Sequence, residues 1–130
     1  HVYLGALDSD LMLSVCYSLA DFYVIPSLQD NLPNTILESM ACGVPTVAFN
    51  VGGNSDLVEH GVSGYLATAG GVAALRDAIV AMIENPDRLR EMSKRCREVA
   101  KREFSLELQA MRYMQLYKEM IPGAEVSLHI

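Results

Sequence analysis

The sequence predicts an α/β fold built on a parallel sheet, and three observations predict it. Short apolar runs of strand type alternate with segments of helical period, the signature of parallel strands joined by crossover helices. Two of the runs, Phe22-Tyr23-Val24-Ile25 and Thr46-Val47-Ala48-Phe49, are nearly continuous in apolar character, as strands buried on both faces are. From Val72 onward the pattern is helical. The 130 residues and 14.3 kDa leave room for one domain or part of one, and 51% hydrophobic content gives it a core to bury.

The elements follow in order. Val2-Tyr3-Leu4 before Gly5 reads as a short first strand ending in a turn. Asp8 or Ser9 can cap a helix whose apolar face is Leu11, Val15 and Leu19. The second strand stops at Pro26-Ser27, and a polar loop leads to a helix from about Pro33 or Asn34 to Cys42, ended by Gly43 and Pro45. Thr46 to Phe49 is the third strand, broken by Gly52-Gly53. A helical turn near Ser55–His60 then leads through Gly61 and Gly64 to a last strand, Tyr65-Leu66-Ala67. Two helices carry the stripes Leu75, Ile79, Met82/Ile83 and Leu89, Met92, Cys96, Val99/Ala100. Asn85-Pro86 divides them, because proline disfavours a helical residue before it. Phe104-Ser105 starts a third helix, with Leu106, Ala110, Tyr113, Tyr117 and Met120/Ile121 on one side and Pro122-Gly123 at its end. Its methionines and tyrosines read as core or interface packing. The expectation is a three-layer half-domain spanning residues 1–130: about four parallel strands, flanking helices and C-terminal helices, with ligands beyond the strands' C-terminal ends.

Charge and cysteine content narrow the function. Sixteen acidic residues against ten basic give −6 at pH 7. That balance argues against nucleic acid or an anionic membrane surface as the main partner. One small phosphorylated ligand stays compatible, since a helix N-terminus supplies local positive potential. Cys16, Cys42 and Cys96 are odd in number, far apart and outside any metal-binding spacing, so they read as reduced, small core residues. No run is long enough to span a bilayer and no signal-like segment opens the chain, so a cytoplasmic setting is expected. The missing initiator Met points to a piece of something larger. No His/Asp/Glu cluster at ligand spacing suggests a tightly bound metal, and His1, His60 and His129 are expected to be solvated.

The most informative stretch runs from Pro26 to Glu38. A buried strand ends, a polar loop crosses its C-terminal end and a helix starts at once. Asp30 lies in the loop and Glu38 lies in the helix, with seven residues between them. Glu38 stands roughly 6–8 Å along the helix axis, so two acceptors flank a set of unpaired backbone N–H groups. A ligand with hydroxyls at both ends and an anion between suits that layout, as in a sugar nucleotide. The plainer reading is an N-cap and a dipole-complementing acid. Asn31, Asn34 and Thr35 add polar groups at the same edge, and Gly52-Gly53 follows the next strand into the same crevice. Ile36, Leu37, Met40 and Ala41 can form the buried helix face, leaving Thr35 and Glu38 turned elsewhere.

The run from Pro26-Ser27 through Glu38-Ser39-Met40-Ala41-Cys42-Gly43-Val44-Pro45 and Thr46 to Phe49, then Gly52-Gly53, Asp56-Leu57-Val58 and Gly61 to Leu66, resembles the donor-binding half of retaining GT-B glycosyltransferases of family four (the glycosyl transferases group 1). The resemblance extends from Val2 to about Tyr117. It implies a Rossmann-like C-terminal domain, with Asp30 and Glu38 at the positions of a pair of glutamates. Asp30 would accept hydrogen bonds from hydroxyls of the transferred sugar, and Glu38 from the ribose. The N–H groups of Asn31 and Leu32 would approach the sugar. Those of Asn34 and Thr35 would cradle the diphosphate, and Gly52 and Gly53 would let backbone come close to donor or acceptor.

Two positions depart from the family pattern: Asp30 is one methylene shorter than the usual glutamate, and Pro33 stands where glycine is common. The resemblance also implies a UDP- or GDP-linked sugar as donor substrate with no tightly bound cofactor. The acceptor, a sugar or lipid-linked hydroxyl, would be held by an N-terminal domain absent from this chain. The product would be polysaccharide, lipopolysaccharide or glycolipid in a bacterium, made in the cytoplasm or at the inner face of its membrane. By itself the chain is expected to bind donor weakly, to catalyse nothing measurable and to self-associate through an unpaired strand edge and its last helix. The competing readings are another GT-B enzyme, such as a nucleotide-sugar epimerase or a phosphorylase, and a non-catalytic α/β interaction module.

Overall fold

The computed structural model describes residues 1–121; Pro122-Gly123 and His129 lie outside the described residues. The chain runs α1 (Asp10–Leu19), β1 (Tyr23–Ile25), α2 (Asn34–Ala41), β2 (Thr46–Phe49), α3 (Asn54–Leu57), β3 (Gly64–Ala67), α4 (Val72–Glu84), α5 (Pro86–Glu103) and α6 (Leu106–Met120). The strands lie side by side in sequence order and are parallel, with Val24 opposite Val47 and Ala48 opposite Leu66. All of β2 is buried, which explains its apolar run. Side chains alternate across a strand, so Val47 faces one layer and Ala48 the other. Ala48 and Ile25 pack with Ile36 and Met40 of α2 and with Cys96 and Ala100 of α5. Val47 packs with Met82 of α4 and Met92 of α5, against Leu75, Ile79 and Leu89. Helices on both faces make the three layers expected.

Three expectations change. Val2-Tyr3-Leu4 is not a strand; Val2 and Tyr3 are 85% and 89% exposed. A strand exists only by pairing, and among the described residues nothing pairs with it, so the sheet has three strands. In α1 the predicted apolar face points to water, with Leu11 71% and Leu19 81% exposed. Its partly buried side is Leu13, Cys16 and Tyr17, towards α2. Helix α6 buries no residue, so Tyr113, Tyr117 and Met120 do not pack in the core. Met40, Met82 and Met92 do. Helix boundaries follow local chemistry more faithfully: the Asn85 side chain caps α5 by accepting from the Arg88 N–H at 3.2 Å, and Ser105 caps α6 by accepting from the Leu108 N–H at 3.2 Å. Ser9 holds the N-cap position of α1 without a side-chain bond.

Candidate functional site

Strand β1 delivers the chain to the loop that carries Asp30, and the turn after β2 seats that loop. A Cβ on Gly52 would overlap the Asp30 carbonyl oxygen, and one on Gly53 would overlap the Asn31 carbonyl oxygen. Gly52 also has φ +48, a conformation that side chains resist. The Gly-Gly pair thus sits directly against the Asp30-Asn31 backbone. Asn54, fully buried behind it, donates from Nδ2 to the Phe49 carbonyl at 2.9 Å and pins the same turn.

Pro33 occupies the N-cap position of α2 with no side chain able to cap, and its carbonyl accepts from the Ile36 N–H at 3.1 Å. The N–H groups of Asn31, Leu32, Asn34 and Thr35 donate to no acceptor among the described residues. Asn31, Leu32 and Asn34 are exposed and Thr35 is half-buried, so the helix mouth is open. Helix α2 buries Ile36, Ser39 and Met40 with Leu37 half-buried; Ala41, expected inside, is exposed. Ser39 replaces it, bonding to the Ile36 carbonyl at 2.9 Å and to the Thr46 hydroxyl at 3.1 Å. Thr35 and Glu38 stay off the buried side, as the periodicity predicts.

Asp30 is half-buried, and its carboxylate has no hydrogen bond or ion pair among the described residues. Glu38 is exposed on the second turn of α2, and its Oε2 accepts from the Tyr17 hydroxyl at 3.2 Å. Burial, and secondarily the Glu38 carboxylate, push the Tyr17 phenol well above its ordinary value, so it remains a donor throughout the physiological range. Sequence reasoning missed Tyr17 and Asn54. Tyr17 lies 21 residues before Glu38 and shares no pattern with it; Asn54, adjoining Gly52-Gly53, was within reach as a turn residue.

The surroundings are shallow. One concavity, about 730 Å³, lies between Gly61-Val62 and Arg88, Glu91 and Arg95 of α5, away from the mouth of α2. A second, about 510 Å³, runs from Leu32, Asn34 and Leu37 to Phe104, Leu106 and Tyr113. His60 is exposed but engaged: its Nδ1 accepts from the Leu66 N–H at 3.0 Å, and its ring meets Tyr65 edge-on. The ring is solvent-exposed, as expected, and these two contacts are additional. Among the described residues no three His, Cys, Asp or Glu side chains gather as metal ligands do, and no helix is long and apolar enough to cross a membrane.

With this geometry in hand, comparison with known proteins is specific. The family described as glycosyl transferases group 1 matches residues 1–85. The chain belongs to that family. Among curated relatives, it is 27% identical over 120 residues to N-acetyl-alpha-D-glucosaminyl L-malate synthase of Bacillus anthracis, covering 92% of this chain and 31% of that protein. Among solved structures, sucrose-phosphate synthase from Thermosynechococcus elongatus superposes with TM-score 0.79 at 33% identity, covering 84% of this chain and 27% of the other. The Anabaena HepE protein, solved with UDP-glucose, gives TM-score 0.71 at 28% identity over 78% of this chain and 29% of its own. The chain therefore spans about a third or less of the relatives it matches. Its α/β, Rossmann-like architecture of GT-B type, a parallel sheet between helices, is as the sequence predicts, with three strands where about four were expected.

Proposed function

We propose that the protein containing this chain is a glycosyltransferase moving a sugar from a nucleotide-diphosphate sugar to an acceptor hydroxyl, in polysaccharide, lipopolysaccharide or glycolipid synthesis. This chain is its C-terminal, donor-binding half-domain. One observation carries the reading: the α2 mouth leaves the N–H groups of Asn31, Leu32, Asn34 and Thr35 without an acceptor among the described residues, on the stretch of chain that runs from Asp30 to Glu38. The UDP-glucose bound to the related HepE protein supports a nucleotide sugar as the ligand. Its base, uracil or guanine, is for the donor assay to decide.

In this reading Asp30 accepts from hydroxyls of the transferred sugar and Glu38 from the ribose. The Asn31 and Leu32 N–H groups lie along the sugar. Those of Asn34 and Thr35, with the positive end of the α2 dipole, hold the diphosphate and stabilise the charge that grows on it as it leaves. Gly52 and Gly53 act by keeping the Asp30-Asn31 backbone in place. Transfer is retaining and front-side: the sugar C1–O bond to phosphate breaks, the acceptor oxygen bonds to C1 on the same face, and the acceptor proton passes to a diphosphate oxygen. The acceptor and the basic groups that complete the diphosphate site come from the rest of the protein, which works in the cytoplasm at the inner membrane face.

The test is donor kinetics in the full-length protein. Asp30→Ala and Glu38→Ala each remove a charged hydrogen-bond acceptor, an interaction of about 1.5–3 kcal/mol, so kcat/KM for donor should fall roughly 10- to 150-fold. Unchanged values in both variants would remove the assignment.

A further inference from the structure

Glu38 does not orient itself. It is exposed on α2 and has no ion pair among the described residues, and a free glutamate in that setting samples several rotamers. Among the described residues one side chain donates to it, the Tyr17 hydroxyl from α1, at 3.2 Å on Oε2. Tyr17 is itself held. Its ring meets Tyr23 of β1 edge-on, centroids 5.8 Å apart and planes at 86°. Its carbonyl accepts from the Ala20 N–H at 2.9 Å, closing α1. One turn back along α1, the Ser14 carbonyl lies 3.9 Å from the Cys42 thiol at the end of α2. The tyrosine thus bridges α1, the first strand and the helix carrying the carboxylate.

We infer that Tyr17 is a positioning residue for the donor nucleotide: it holds the Glu38 carboxylate in one orientation, with Oε1 free to accept the ribose hydroxyls. The inference rests on the donor-site reading above. A carboxylate offers about four acceptor sites; the phenol occupies one on Oε2, and Oε1 accepts nothing among the described residues. With its rotamer fixed in advance, Glu38 loses less conformational freedom when nucleotide binds. The exposed face of α1 is then beside the point: the helix is placed by Leu13, Cys16 and Tyr17, and one of those three reaches the site.

Tyr17→Phe in the full-length protein keeps the ring on Tyr23 and removes only the hydroxyl. It is expected to raise KM for donor, and Kd for UDP or GDP, about threefold to tenfold, with kcat within about twofold. The preference for the ribonucleotide over its 2′-deoxy form should shrink by a similar factor. In a Glu38→Ala background the same hydroxyl removal should change none of these. Tyr17→Phe without effect, while Glu38→Ala weakens donor binding, would overturn the role of Tyr17 and leave the donor site standing. An equal loss in both backgrounds would overturn it too, since the hydroxyl would then act through something other than Glu38. No effect from Glu38→Ala at all would take Glu38 out of the donor site, and the role of Tyr17 with it, whereas the site as a whole falls only if Asp30→Ala is silent too.

Discussion

Helices α1 and α2 lie against one another and both carry apolar residues at helical spacing, yet they are packed in opposite ways. Ile36 and Met40 of α2 are completely buried under the sheet and α5. In α1 the equivalent stripe, Leu11, Val15 and Leu19, faces water, and the helix is held through Leu13, Cys16 and Tyr17 instead. The difference is one of supply. Helix α2 has the sheet on one side, through Ile25 and β2, and α5 across it, whereas α1 leans chiefly on α2, with the Tyr17 ring reaching Tyr23 of β1. Apolar spacing states which side of a helix can be buried; only neighbours decide whether it is.

Substitutions should separate the two helices by size of effect. Met40→Ala opens a cavity under α2 and is expected to cost about 2–5 kcal/mol, read as a drop in the urea midpoint. Leu19→Ser on α1 should stay within about 0.5 kcal/mol; a loss as large as that of Met40→Ala would mean that the α1 stripe is covered in solution. Between these extremes stands the turn that seats the Asp30 loop. Gly53→Ala pushes a methyl group into the Asn31 carbonyl and should cost about 1–3 kcal/mol, with a matching rise in donor KM. Donor KM left at its original value would show that the loop takes up the methyl without moving Asp30 or Asn31.

The cysteines sharpen the same contrast chemically. Cys96 on α5 is buried beside Met40, and burial pushes its thiol from 9.0 up to about 12. Cys16 and Cys42, near the α1–α2 contact, are half-buried. A thiol reagent at pH 8 is therefore expected to modify Cys16 and Cys42 in the folded chain and to reach Cys96 only after unfolding. The sign of the pH effect follows from linkage: a folded-state value raised above the unfolded one gives stability that is complete below pH 9 and lost as pH climbs towards 12. Replacing Cys96 by alanine should flatten that alkaline slope. The smallest expected change is for Arg90→Ala, whose ion pair with Asp87 is largely exposed and is worth well under about 1 kcal/mol.

Much of this was legible from residues alone, for reasons that can be named. Strand β2 was read correctly because burial on both faces leaves its run without alternation. Helices α5 and α6 start where Asn85 and Ser105 say, because capping is satisfied within three residues. The open mouth of α2 was legible for the opposite reason: Pro33 has no side-chain acceptor for the amides that follow. Val2-Tyr3-Leu4 and the outward stripe of α1 were misread, since each reading assumed a neighbour; of the two roles read for the α6 tyrosines, core or interface packing, the core is excluded. Tyr17 could not be found at all, because 21 residues and a strand separate it from the carboxylate it meets.

The sequence by itself determined the local events: where helices begin, which runs are buried strands, and that a carboxylate stands on each side of the α2 start along the chain. These depend on bonds and sterics within a few residues. The tertiary structure alone decided that Gly52 and Gly53 press on the Asp30-Asn31 backbone, that α1 turns its leucines outward, and that a tyrosine from α1 steadies Glu38. Contacts of that kind join segments whose spacing carries no period, and only the packed chain brings them within reach.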